Sequence, residues 1–293
     1  MNHAVLGAGA IGGIMATALG SVGEDVTLIV RPEKLADYPQ ALSWERPTGT
    51  ITAPAKAVSS LTGPADVLWI ATKTYQLEVA LRAIETAPTI VVPLLNGVDH
   101  VAVLRERFGQ DRVVPATIAV EAERRAAGSV VQRSPLRLGI AANGERILGD
   151  TVARLQTLGF ACRFVADEMT LLWSKLCFLG PFALVTSASG KNVGEILADP
   201  VWMPTLDSAV AEACTVAEKA GAQVDAEAVR TIFRDSPPTM RSSMAKDLAT
   251  GRQLELDGIA GAIVRGGTRY GIPVPTTASL VATIESLAAA HGA

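Results

Sequence analysis

The segment Val5-Leu6-Gly7-Ala8-Gly9-Ala10-Ile11-Gly12 constrains this chain more than any other, because it sets G-x-G-x-x-G between a strand-like run and a helix-like one. In that setting Gly7 allows the tight turn, Gly9 lets backbone approach a pyrophosphate, and Gly12 lets helix and strand pack closely. The helix start then offers free N–H groups and the positive end of its dipole to phosphates. Taken alone, the motif also describes an ordinary glycine-rich turn. Its place at the head of an alternating strand-and-helix half assigns Gly7, Ala8, Gly9, Ala10, Ile11 and Gly12 to dinucleotide binding.

The alternation itself runs from Ala4 to Val165. Ala4–Leu6, Val26–Val30, Val67–Ala71 and Ile90–Leu94 are short buried runs of strand type. Helical stretches follow near Ile11–Val22, Tyr75–Glu85 and His100–Phe108, as expected of βαβ units around a mainly parallel sheet. Val113–Val120, Ser129–Arg133 and Leu136–Ile140 predict further strands, then a helix near Arg146–Leu158 and a strand near Arg163–Val165. After Asp167 strand alternation stops and helical periodicity dominates, with boundaries at Asp199-Pro200 and Ser236-Pro237-Pro238, since proline disfavours helical geometry in the residue before it. The expected fold is an α/β Rossmann-type dinucleotide-binding domain, residues 1–166, followed by an all-α C-terminal domain, residues 167–293.

With 26 basic and 29 acidic residues in 293, the chain carries a formal charge of −3. That balance gives no electrostatic footprint for nucleic acid or a polybasic membrane anchor. The longest apolar run, Leu176–Ser189, is shorter than a bilayer span and contains Gly180-Pro181,. Cys162, Cys177 and Cys214 are widely spaced, form no C-x-x-C pair and cannot all pair internally. They fit thiols of a reducing compartment, so a cytoplasmic protein without a leader is expected. His3, His100 and His291 are scattered and no cluster has metal-ligand spacing, so no metal is expected.

The end of the second strand selects the dinucleotide. An NAD site would place a carboxylate there for the ribose 2′-OH; this chain places Arg31, whose guanidinium suits the 2′-phosphate of NADP,. Glu33, two residues on, is a competing ribose ligand. Lys73 follows the third strand and Asn96-Gly97 the fourth, where residues face the cofactor crevice of such folds. A surface lysine and an Asn-Gly turn are the alternatives.

In the helical half, Lys175 is the one cation of Met169-Thr170-Leu171-Leu172-Trp173-Ser174-Lys175-Leu176-Cys177-Phe178. An ammonium there must snorkel, pair with a carboxylate, or lower its pKa. A second polar segment runs from Ser242-Ser243 through Asp247 to Gly251-Arg252-Gln253-Leu254-Glu255-Leu256-Asp257-Gly258; a solvated, helix-capping loop is its alternative.

Together these residues resemble the ketopantoate reductase family (2-dehydropantoate 2-reductases). GAGAIGG, Arg31, Lys73, LNGV around Asn96, WSKL around Lys175, GEILADP, SSMAKD, GRQLELDG and YGIPVPT occur in family order over essentially the whole chain. The resemblance implies NADPH and a small 2-oxo acid meeting in an interdomain cleft, with reduction of ketopantoate to pantoate in pantothenate biosynthesis. It implies Lys175 as the catalytic lysine that protonates the carbonyl oxygen, Glu255 as the acidic active-site residue and Ser243 as a hydroxyl for the substrate carboxylate. Asn96 matches a residue near nicotinamide and substrate, Arg31 and Lys73 match cofactor contacts, and Ala122 stands for a contact in the loop after the fifth strand. A homodimer is a weaker expectation.

The sequence also departs from the family. Asparagines that serve substrate hydroxyl and carboxylate groups stand here as Leu179, Ala183 and Ala260, with Asn192 a partial replacement in a shifted register. A pocket that trades amides for Leu and Ala disfavours a hydroxyl-bearing substrate. The same chemistry on a more apolar 2-oxo acid or ketone is therefore the first alternative. A catalytically silent NADP-binding sensor is the second, and the retention of both Lys175 and Glu255 argues against it.

Overall fold

The alternation of the first half resolves into strands β1 (Asn2–Leu6), β2 (Asp25–Ile29), β3 (Ala41–Arg46), β4 (Gly49–Pro54), β5 (Lys56–Val58), β6 (Val67–Ile70), β7 (Ile90–Pro93), β8 (Ala116–Ala119), β9 (Ala122–Ala126), β10 (Ser129–Gln132), β11 (Arg137–Ala141) and β12 (Ala161–Val165). Helices α1 (Ala10–Ser21), α2 (Leu77–Leu81), α3 (His100–Phe108) and α4 (Glu145–Thr157) lie between them. The structure is a computed structural model and describes residues 1–291.

A five-stranded parallel sheet, ordered β5-β2-β1-β6-β7, places the dinucleotide fingerprint. Leu6 at the end of β1 pairs with Ile29 on one side and Ile70 on the other, and Ile70 pairs with Pro93. The strands therefore end in step, and Gly7, Arg31 and Lys73 all follow the same carboxyl edge. That edge is where open α/β sheets bind ligands. Helix α1 buries a continuous run from Gly12 to Leu19, and Val5, Ile14, Leu19, Leu28 and Trp69 belong to the first core.

The rest of this half is less parallel than its sequence suggests. A four-stranded sheet, β4-β3-β10-β9, combines an antiparallel β3–β4 hairpin with a parallel β3–β10 pair. A three-stranded sheet, β12-β11-β8, pairs β11 with β12 in parallel and with β8 in antiparallel fashion. Hairpin β3–β4, with Leu42 and Trp44 buried between more exposed neighbours, is an addition to the strand list, as are β5 and β9. The helix expected over 75–85 shortens to α2: past Leu81 the Ala83 and Ile84 N–H groups donate to the Ala80 and Leu81 carbonyls in tight turns, and Ile84 then bridges to Leu61.

From Glu168 onward every regular element among the described residues is helical: α5 (Glu168–Ser189), α6 (Val193–Leu197), α7 (Trp202–Lys219), α8 (Ala226–Arg234), α9 (Ser243–Ala249), α10 (Ala262–Tyr270) and α11 (Pro275–His291). A π-turn over Asp257–Gly261 leads into α10. Gly180-Pro181 does not break α5, which continues through Pro181 for 22 residues. By length and hydropathy α5 could cross a bilayer, although its apolar run alone could not. Two thirds of its apolar window (67%) is buried inside the protein, where Leu176, Cys177 and Leu184 share a core with Val210 and Val216 of α7 and Ile263 of α10. Glu212 on α7 accepts from the Thr276 and Thr277 N–H groups, each at 2.8 Å, and so caps the start of α11.

Contacts divide the chain into two units. The first comprises 1–95 and 100–168; the second comprises 96–99 and the chain from Met169 onward. The four residues Asn96–Asp99 thus cluster with the helical unit, although they lie well inside the stretch expected to form the first domain.

Candidate active site

The fingerprint loop has the geometry a pyrophosphate requires. Gly7 adopts φ +100°, and a Cβ there would sit 2.9 Å from Ala71 backbone atoms. Gly9, which precedes α1, makes no side-chain cap. A Cβ on Gly9 would meet nothing within 4 Å, so the space before the helix start is open and its first N–H groups point into it. The residues present therefore fit a dinucleotide. Tyr38, which sequence reasoning missed, fixes this loop by donating its hydroxyl to the Ala8 carbonyl at 3.2 Å; burial raises its pKa.

Arg31 follows β2, exposed, with Nε 3.5 Å from Glu33 Oε1. The two candidates for the ribose end of the cofactor are thus neighbours, both exposed. Lys73 begins the turn over Thr74–Gln76 after β6. Ala122 lies elsewhere than expected: it opens strand β9 opposite Gln132 and packs against the first core, rather than sitting in a loop.

The second unit brings together residues far apart in sequence. Lys175, on α5, donates from Nζ to Asn96 Oδ1 at 2.9 Å. Asn96 in turn donates from Nδ2 to Glu255 Oε2 at 3.2 Å. Glu255 is 5% exposed. One amide thus spans an ammonium and a carboxylate, using its acceptor for the first and its donor for the second. Burial lowers the Lys175 pKa to about 8, and the Glu255 charge opposes that shift,. At neutral pH the group is still mostly an ammonium, yet far more ready to release its proton than a solvated lysine.

Asn96 can occupy this position because of Gly97. Gly97 adopts φ +78°, and a Cβ on it would lie 1.9 Å from the Gly258 carbonyl oxygen. The Asn-Gly turn, offered above as an alternative to a site role, also sets the Asn96 amide between Lys175 and Glu255. The π-turn that begins two residues after Glu255 provides the facing carbonyl; such turns recur at functional sites.

Of two other candidates, one has a structural duty. Asn192 caps α6: its Oδ1 accepts from Glu195 N–H at 2.9 Å, and its own N–H donates to Glu195 Oε2 at 2.8 Å. The side chain is thereby oriented as a helix cap. Ser243 is exposed as the first residue of α9. The buried cap is its neighbour Ser242, which accepts from Ala245 N–H at 3.0 Å and lies 2.7 Å from the Thr186 hydroxyl. Among the described residues no group of three or more His, Cys, Asp and Glu side chains comes together as a metal site.

Comparison with known proteins decides the family. The model described as "Ketopantoate reductase PanE/ApbA" matches residues 3–144, and that of the "Ketopantoate reductase PanE/ApbA C terminal" matches residues 167–288. The chain belongs to the ketopantoate reductase family. The 2-dehydropantoate 2-reductase of Caulobacter vibrioides is 31% identical over 97% of this chain and 98% of its own. Among solved structures, a PanE/ApbA family ketopantoate reductase from Ralstonia eutropha covers 100% of both chains at TM-score 0.88 and 25% identity. D-Mandelate dehydrogenase, solved with NADH and anilino(oxo)acetate, covers 100% of both at TM-score 0.88 and 22% identity, a likeness of fold.

As a ketopantoate reductase the chain is an NADP-dependent oxidoreductase acting on CH–OH groups. Three positions where the resemblance leads one to expect asparagines carry apolar residues here. Ala183 and Ala260 are fully buried in the helical core, and Leu179 packs against the same core. None of the three carries a polar side-chain atom.

Proposed function

We propose that Lys175 is the proton donor in an NADPH-dependent reduction of a 2-oxo acid, with ketopantoate the first substrate to test. The hydrogen bond of Lys175 to Asn96, together with a lysine pKa of about 8, carries this reading. NADPH, when bound, supplies the hydride. Gly7, Gly9 and the start of α1 would hold its pyrophosphate, and Arg31 would hold the 2′-phosphate, with Lys73 a further contact. As the carbonyl carbon is reduced, negative charge develops on its oxygen. The Lys175 ammonium stabilises that charge and transfers a proton from Nζ to the oxygen. Asn96 keeps Nζ aimed without neutralising it, whereas the Glu255 charge keeps the lysine protonated until substrate arrives. Cys162, Cys177 and Cys214 are free thiols, in keeping with a cytoplasmic enzyme.

NADPH oxidation at 340 nm with ketopantoate, comparing the native enzyme with Lys175→Ala, tests the assignment. Loss of at least a hundred-fold in kcat with NADPH binding retained supports it; unchanged turnover overturns it. Leu179, Ala183 and Ala260 favour a second reading, in which the preferred substrate lacks ketopantoate's hydroxyl. The discriminating pair is ketopantoate and 3,3-dimethyl-2-oxobutanoate, which differ by that hydroxyl alone. A higher kcat/KM for the latter selects the apolar reading.

A further inference from the structure

Arg265 on α10 lies outside the fingerprint and outside the Lys175–Asn96–Glu255 group, yet it touches both chain segments that carry the partners of Lys175. It donates from Nε and Nη2 to Asp99 Oδ2 at 3.1 and 2.7 Å. It also donates from Nη1 to Asp257 Oδ1 at 2.5 Å and from Nη2 to the Asp257 carbonyl at 3.1 Å. Asp99 stands three residues after Asn96, and Asp257 two after Glu255. A planar guanidinium, with donors on several edges in a fixed spread, bridges two carboxylates and a carbonyl through four N–H contacts in this way, more than the three donors of an ammonium supply. Beneath the bridge, a Cβ on Gly261 would lie 2.6 Å from Asp257 Oδ1 and 2.7 Å from Arg265 Nη1. A side chain at 261 would therefore press on both partners of the bridge.

We propose that Arg265, with Asp99 and Asp257, is a positioning device for the proton-transfer site: it staples the Asn96–Asp99 loop to the Glu255–Asp257 segment and so fixes the amide that orients Lys175. The inference rests on the assignment of Lys175 as proton donor. All three side chains are at least half exposed, at 50, 52 and 85%, and exposed ion pairs add little to global stability. The staple's worth therefore lies in local register. The loop needs such a tie, because Asn96–Asp99 belong by their contacts to the helical unit while the residues on both sides belong to the other.

The test is a double-mutant cycle in kcat for NADPH oxidation with ketopantoate, using Arg265→Gln, Asn96→Ala and the two combined. Arg265→Gln is expected to lower kcat about ten-fold, leave the NADPH Kd within two-fold, and leave the thermal midpoint nearly unchanged. In the Asn96→Ala background the same change is expected to have no further effect on kcat, because the group it orients is gone. Gly261→Ala, which wedges the bridge apart without removing a charge, is expected to reproduce the Arg265→Gln defect. Additive losses in the cycle, or native kcat in Arg265→Gln, overturn the proposal. Lys175→Ala run alongside separates the two claims: if it turns over normally the proton-donor assignment has failed, whereas its inactivity with an additive cycle rejects the staple alone.

Discussion

A Cβ on Gly12 would lie 1.8 Å from the carbonyl oxygen of Gly7, while one on Gly9, midway between them in the loop, would touch no atom of the protein. The two glycines thus serve different masters. Gly12→Ala is expected to lower stability, because backbone must shift to admit the methyl group. Gly9→Ala is expected to leave the thermal midpoint unchanged and weaken NADPH roughly ten-fold, equivalent to about 1.4 kcal/mol, by filling the space of the pyrophosphate. Fluorescence titration of NADPH beside thermal melts checks both; equal effects of the two substitutions on either quantity would reject the distinction.

Arg31 is expected to read the 2′-phosphate. Arg31→Ala should weaken NADPH about ten-fold and leave NADH nearly unchanged, a modest effect because the guanidinium is exposed and screened,. The preference should also narrow as salt is raised. Parallel losses for both cofactors would place the residue elsewhere.

The proton donor sets the pH profile. With Lys175 at about 8, the active, protonated form is present below that pH and is lost above it. The kcat/KM for the 2-oxo acid should therefore fall on an alkaline limb near pH 8, not near 10.5. The Glu255 carboxylate raises the lysine pKa, so Glu255→Gln should move the limb to lower pH. A limb that stays in place would remove Glu255 from this electrostatic role.

His3 predicts an acid weakness in the first unit. Trp69 donates its indole N–H to His3 Nδ1 at 3.1 Å, and burial lowers the His3 pKa from 6.5 to about 4. Above pH 6.5 both folded and unfolded chains carry a neutral imidazole. As pH falls from 6.5 to 4 only the unfolded chain takes up the proton, so stability is lost over that window, by as much as about 3 kcal/mol. Urea midpoints at pH 7 and 4.5 should differ more for the native chain than for His3→Gln. An equal difference would assign the acid sensitivity to other groups.

The sequence made some of these features legible and hid others for physical reasons. Gly7, Gly9 and Gly12 declare themselves because a phosphate loop needs backbone without side chains. Lys175 does so because a lone cation in an apolar helix demands an explanation. Strand β9, reading Ala122-Glu123-Arg124-Arg125-Ala126, is exposed over four of its five residues and carries no alternation, so nothing in composition announces it. Asn192 belongs to the helix start beside it, a use set by the N–H geometry of α6. The Arg265–Asp99 contact joins residues 166 apart, a distance over which only the folded chain reports proximity.

The loan of Asn96–Asp99 to the helical unit has a consequence for how this enzyme could be taken apart. A gene divided after Glu168 would encode a C-terminal piece that keeps Lys175 and Glu255 but lacks the amide between them, together with the aspartate that Arg265 grips. Such a piece could not be shuffled onto a different nucleotide-binding partner as a finished cassette. Any recombinant fusion would have to inherit an Asn-Gly-x-Asp tetrapeptide from the other half at the matching strand end.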